Sequence, residues 1–110
     1  MTEPTTSEAV STASLVLGKA HARVARGSDR YDPEDKERNF ELIANYWTEY
    51  LRGVYPGTRV EILPVDVGMM MALLKIARVT ANPEHMDSYV DIAGYAALAA
   101  EEIDGNRLDF

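Results

Sequence analysis

Glu84, Asp87 and Asp91 stand at i, i+3 and i+7, a spacing that on an α-helix sends three carboxylates from one face over about two turns. Carboxylates that close repel one another unless solvent or a cation separates them, and Mg²⁺ takes such oxygens together with waters and substrate phosphates. A second account is available, because acidic residues also collect in a first helical turn for the sake of the helix dipole, and Asp87 has the side chain of an N-cap. Asp91 fits that account least. It lies past the first turn in the apolar stretch VDIAGYA, where an unpaired carboxylate is costly to bury.

Lys75 and Arg78, three apart, are the only basic residues in the mostly apolar segment that precedes these carboxylates. Either they contact phosphate, or they neutralise the acidic face and the end of their own helix. A nucleotide bound with magnesium needs both signs close together, so the two roles are compatible. Between Arg26 and Arg38 the loop interleaves Arg30 and Tyr31 with Asp29, Asp32, Glu34 and Asp35. Such a loop can fold over a ligand, with Arg30 on phosphate and Tyr31 against a base, or serve as an ordinary polar connection. Glu41, Asn45 and Glu49 recur every fourth residue and read as a solvated helix face, whereas Trp47 and Tyr50 fall in an apolar stripe and read as core. His21 is read as a surface or core-edge side chain, and His85 as a hydrogen-bond partner for Asp87 or Glu84.

Composition narrows the field. The 110 residues allow one domain with one core. The absence of cysteine removes disulfides, thiolate zinc sites and a thiol nucleophile, and 2 histidines make a zinc centre improbable. A net charge of -7 opposes a phosphate backbone, yet most of the basic residues are Arg, the type suited to gripping phosphate locally. A nucleotide is therefore the expected partner, and nucleic acid is not. No run approaches the roughly 20 apolar residues that span a bilayer, and the first residues lack the basic region of a signal peptide, so a cytoplasmic protein without a membrane partner is expected. Walker, GxGxxG, GxSxG and HExxH motifs are absent.

The elements that must position these groups are helices. Ser7 reads as an N-cap, and Val10, Ala13, Leu17, Ala20 and Val24 give a stripe on a first helix, about 7 to 26, that Gly27 ends. Asp32-Pro33 resembles an N-cap with proline at the first helical position. The second helix, about 35 to 52, carries Phe40, Ile43, Ala44, Trp47, Tyr50, Leu51 and Val54 on one side, and Gly53 closes it. Residues 53–63 form an extended connection in which Pro56-Gly57 suits a type II turn. Pro64 opens a third helix, about 64 to 80, with Val67, Met70, Met71, Leu74 and Ala77 inward, and Asn82-Pro83 starts a fourth, about 83 to 103. The fourth is rich in small residues, which suits a central helix packed on several sides. The expectation is an all-α four-helix bundle over residues 7–104, between a flexible tail 1–6 and an acidic tail 105–110.

The segments SDRYDP, NFELIANYWTEYL, DVGMMMALLKIAR and NPEHMDSYVDIAGYAALAAEE, in this order, resemble a group of small, mostly phage-encoded helical proteins. That group looks related to the all-α NTP pyrophosphohydrolases of the MazG and dimeric dUTPase type. The resemblance covers about residues 26 to 103. In that superfamily an E-x-x-E pair and a later E-x-x-D pair hold Mg²⁺, which binds the triphosphate and activates water. Glu84-His85-Met86-Asp87 matches E-x-x-D, with Asp91 one turn further, whereas Glu41 and Glu49 lack the E-x-x-E spacing. The resemblance implies Glu84, Asp87 and Asp91 on Mg²⁺, Lys75 and Arg78 on phosphate, and a dimer or tetramer with the small-residue face of the last helix at an interface. The expected function is thus a Mg²⁺-dependent nucleoside triphosphate pyrophosphohydrolase-like protein that cleaves or binds a (d)NTP. The alternative is a non-catalytic interaction or nucleotide-sensing protein on the same scaffold.

Overall fold

The computed structural model describes residues 10–29 and 39–103. Four helices account for most of them: α1 (Thr12–Asp29), α2 (Phe40–Val54), α3 (Pro64–Ala81) and α4 (Met86–Glu101). No strand occurs among the described residues, and the all-α four-helix bundle expected from the sequence is what the chain forms. No helix among them is long and apolar enough to cross a membrane. The helices do not pack in chain order. α3 and α4 share the most extensive contact, α1 lies on α4, and α2 lies on α3.

Local side-chain chemistry sets the boundaries. α1 starts at Thr12, with Ser11 Oγ accepting the Ser14 N–H at 3.1 Å, and its backbone continues past Gly27 to Asp29. Glycine permits a helix end but does not compel one. The stripe on α1 is also displaced from the expected one: Ala20 is buried and Val16 and Val24 are half-buried, while Val10, Ala13 and Leu17 are exposed. α2 begins at Phe40 because Asn39 Oδ1 accepts the Leu42 N–H at 2.9 Å, satisfying one of the unpaired first-turn donors. The expected Asp32-Pro33 start lies outside the described residues. The helix also runs one residue beyond Gly53 to Val54.

Between α2 and α3 the chain is extended and irregular, as expected. The Thr58 N–H donates to the Tyr55 carbonyl at 3.0 Å, and Gly57 takes a φ of +94° at the third position of that turn, a conformation open to glycine. Thr48 fastens the segment down. Its buried hydroxyl accepts the Ile62 N–H at 2.8 Å and donates to the Ile62 carbonyl at 3.3 Å. α3 opens with Pro64 at a position whose N–H needs no partner, and Asp66 Oδ2 accepts the Leu63 N–H at 2.9 Å.

A reverse turn, not helix, occupies the start expected for the last helix. Asn82 Oδ1 accepts the Glu84 N–H at 3.2 Å and the His85 N–H donates to the Asn82 carbonyl at 3.0 Å. Pro83 therefore serves the second position of a β-turn, which its fixed φ suits as well as a first helical position. α4 begins only at Met86.

The core centres on Phe40, Ala44 and Val67, with Ile43, Trp47, Ile62, Met71, Tyr95 and Leu98 packed around them. Trp47 is thus a core residue, as its place in the stripe implied. Tyr50 is not: it is exposed, as are Met70, Leu74 and Ala77, which were expected to face inward. Gly68 lets α3 and α4 approach closely, because a Cβ there would stand 2.7 Å from Ala99 Cβ and 3.1 Å from Phe40 Cε2. The rest of α4 is less enclosed than expected. Ala96, Ala97 and Ala100 are exposed, and a Cβ on Gly94 would meet nothing within 4 Å.

Candidate functional site

Four charged side chains from three helices meet on the N-terminal half of α4. Asp87 and Asp91 are one turn apart, so their carboxylates share a face. The Arg23 guanidinium, from α1, spans both: Nη2 donates to Asp87 Oδ1 at 2.5 Å and Nη1 to Asp91 Oδ1 at 2.9 Å. Lys75, from α3, places Nζ 3.4 Å from the other oxygen of Asp91. Asp91 and Lys75 are each only about one-fifth exposed (22% and 20%), whereas Asp87 is more than half exposed. The carboxylate that looked costly to bury is therefore held between two cations, which is what makes its burial tolerable.

Electrostatics follow the geometry. The hydrogen bond from Arg23, and then its charge, hold the Asp87 carboxyl below the ordinary aspartate value, with His85 and Lys75 adding to the effect. The Arg23 guanidinium is correspondingly pushed up, chiefly by its hydrogen bond to Asp87.

The remaining sequence-predicted groups are distributed differently. Glu84 lies in the turn before α4, exposed, and does not join Asp87 and Asp91 on a helical face. Arg78 diverges from Lys75: it is exposed, its Nη2 lies 3.2 Å from His85 Nε2, and it makes no ion pair among the described residues. His85 is engaged by Arg78 and by Ser88, not by Asp87 or Glu84. Glu41, Asn45 and Glu49 are exposed, as a solvated face requires, and His21 is exposed on α1. Arg30 and Tyr31 lie outside the described residues.

Arg23 is the member of the cluster that sequence reasoning missed. It sits beside Val24 at the edge of the inward stripe of α1, but nothing in the local sequence links it to carboxylates 64 and 68 residues away.

His85 Nδ1 lies 2.6 Å from Ser88 Oγ, a distance familiar from serine nucleophiles and their bases. The tautomer argues against that chemistry. Arg78 can only donate, so Nε2 accepts and the proton sits on Nδ1, which then donates to the serine oxygen. His85 has no lone pair to offer the hydroxyl, and Ser88 is fully buried.

A resident Mg²⁺ does not fit the cluster as it stands. The ion demands near-octahedral oxygen donors. Both aspartates already accept from Arg23, and no group of three or more metal-binding carboxylates or imidazoles gathers among the described residues. What the arrangement offers instead is a cation without a carboxylate partner, Arg78, beside the N-terminus of α4. There the His85 side chain provides no cap, and although the Ser88 N–H donates to the His85 carbonyl at 3.1 Å, the first two amides of the helix and its positive dipole end are available to an anion. On the α1 side of the same turn lies an open groove of about 580 Å³, lined by Thr12, Ala13, Val16, Leu17, Pro83, Met86 and Tyr89.

The fold and this cluster define an all-helical domain whose charged side chains converge at the start of α4. Residues 16–103 match the domain of unknown function DUF6378, and the chain belongs to that family. It is similar to the Gene 55 protein of Mycobacterium phage L5, with 45% identity over 68% of this chain and 44% of the phage protein. The Gene 55 protein of Mycobacterium phage D29 is 36% identical over 67% of the chain and 44% of that protein. The chain thus spans less than half the length of these relatives. No solved structure gives a significant match.

Proposed function

We propose that the protein binds a nucleoside triphosphate at the start of α4 and acts as a nucleotide-sensing protein, not as a hydrolase. The observation that carries this is Arg78, an exposed cation with no acidic partner among the described residues, placed beside an uncapped helix N-terminus. Phosphate oxygens would be met by the guanidinium and the first-turn amides, and the apolar groove formed with α1 would take the nucleoside. The sharing of Asp87 and Asp91 with Arg23 supports binding over cleavage, since carboxylates so engaged are poor metal ligands. A homo-oligomeric form, dimer or tetramer, belongs to the same proposal.

The test is thermal melting of the purified protein with a panel of NTPs and dNTPs, alongside an assay of pyrophosphate release in Mg²⁺. One nucleotide should raise the melting temperature. A charge-assisted phosphate contact is worth about 1.5 to 3 kcal/mol, so Arg78→Ala should weaken binding roughly ten- to a hundredfold and leave the unliganded melting temperature nearly unchanged. Pyrophosphate release would overturn the sensing role in favour of the pyrophosphohydrolase, and no stabilisation by any nucleotide would overturn both.

A further inference from the structure

α3 carries Asp66, Lys75 and Arg78 as its only charged residues, and the structure turns Lys75 inward to Asp91. Its inward side is Val67, Gly68, Met71, Ala72 and Val79, all buried or half-buried. The opposite side, from Met69 to Ala77, is then without charge. Met69 (48% exposed), Met70 (40%), Leu73 (60%), Leu74 (50%) and Ile76 (44%) stand on it over two turns. A helix apolar all round is normally covered all round, and no helix among the described residues covers this side of α3.

We infer that a second copy of this chain covers it, α3 packing on α3 about a two-fold axis close to Leu73. Charge and area both argue for this occupant. Each copy carries a formal charge of -7, so a second copy is met at least electrostatic cost on a surface that adds no close like-charge contacts, and this side of α3 supplies one. An antiparallel pair also sets the N-terminal turn of each α3 near the C-terminal turn of the other. Opposite dipole ends then face one another, and the contact is self-complementary, as a two-fold axis requires. The five side chains expose roughly 400 to 500 Å² together, about the apolar share of an interface that buries ~800 Å² per partner.

The inference deepens the oligomeric part of the proposed function by naming its surface, and it does not depend on the nucleotide. The test uses the full chain, whose lack of cysteine makes a single introduced thiol unambiguous. Leu73→Cys, next to the axis, should cross-link to itself under mild oxidation and revert with reductant, whereas Leu15→Cys, also more than half exposed but on α1, should not. In sedimentation equilibrium the parent should be dimeric at micromolar concentration. Leu73→Glu, which sets two carboxylates across the axis, should raise the dimer dissociation constant by about a hundredfold or more. Ala97→Glu, on the open side of α4, should leave it unchanged. A monomeric parent would overturn both this inference and the oligomeric proposal. An oligomer that Ala97→Glu dissociates and Leu73→Glu does not would overturn the α3 surface alone.

Discussion

Replacing Gly68 by alanine tests how closely α3 and α4 depend on a missing side chain. The added Cβ would stand 2.7 Å from Ala99 Cβ, 3.0 Å from Ala99 Cα and 3.1 Å from Phe40 Cε2, where apolar carbons prefer about 3.5 to 4.0 Å. Two of those atoms are fixed to the α4 backbone and cannot swing away. The helices must therefore separate by close to an ångström, or Phe40 must leave its place in the core. Overpacking costs typically 1 to 3 kcal/mol, and against atoms fixed to a backbone the upper part of that range, about 2 to 3 kcal/mol, applies, offset by about 0.8 to 1.0 kcal/mol gained when alanine replaces glycine inside a helix. The net expectation is a loss of about 1 to 2 kcal/mol. In a domain of this size that lowers the melting temperature by roughly 4 to 16 °C. Gly18→Ala is the control. It lies within α1, where a Cβ meets nothing within 4 Å, so the propensity gain should stand alone and stability should rise. Urea denaturation followed by circular dichroism measures both. A Gly68→Ala protein as stable as the parent would refute the claim that this glycine sets the helix spacing.

Thr48→Val removes the hydroxyl that serves both the N–H and the carbonyl of Ile62 while keeping the shape, and should cost about 1 to 3 kcal/mol by denaturant unfolding. Lys75→Ala should cost about 1 to 3 kcal/mol, between the values for exposed and buried pairs, because Asp91 keeps Arg23 at 2.9 Å; Lys75→Met, which keeps the stem, should cost less in the same assay. Melting temperature against pH should show an optimum on the mildly acidic side. The Glu102 carboxyl, exposed at the end of α4, is pushed up by partial desolvation and then by Glu101 and Glu41, so the small cost of its charge, complete above its raised native value, is relieved as pH falls through that value. The Asp87 carboxyl is held low by Arg23, so its contribution is complete above the ordinary aspartate value near 3.9 and is lost as pH falls through the lowered native one. Glu102→Gln should abolish the mild-acid rise, and Asp87→Asn should soften the loss below it.

Elements with strong local signals were legible in the sequence. The Pro64 start of α3, the turn at Pro56-Gly57 and the Trp47 stripe rest on chemistry within a few residues, and the structure has each of them. Positions that depend on which helix packs where were not. Met70 and Leu74 have the same periodicity whether they face a neighbour in the chain or solvent, and only the placement of α4 decides that they are exposed. Asn82-Pro83 satisfies a turn and a helix start equally in sequence; the Asn82 side chain bonding to the Glu84 N–H decides for the turn and takes Glu84 off the helical face. The candidate site was half legible. Asp87, Asp91 and Lys75 lie near one another in the chain and could be grouped by spacing, whereas Arg23 belongs to them only through tertiary packing.

The packing order α1, α4, α3, α2 differs from the order in which a ribosome delivers the helices. The short turn at 82–85 lets α3 and α4 close on one another with little loss of chain entropy, and α2 finds its partner as soon as α3 has emerged. Among the described helices, α1 has no partner until α4 is complete. Until then Ala20 and the inward stripe of α1 remain in water, and Arg23 has neither aspartate to bind. This part of the chain is thus committed to its fold only once α4 has emerged, and the Arg23 ion pairs mark that docking step.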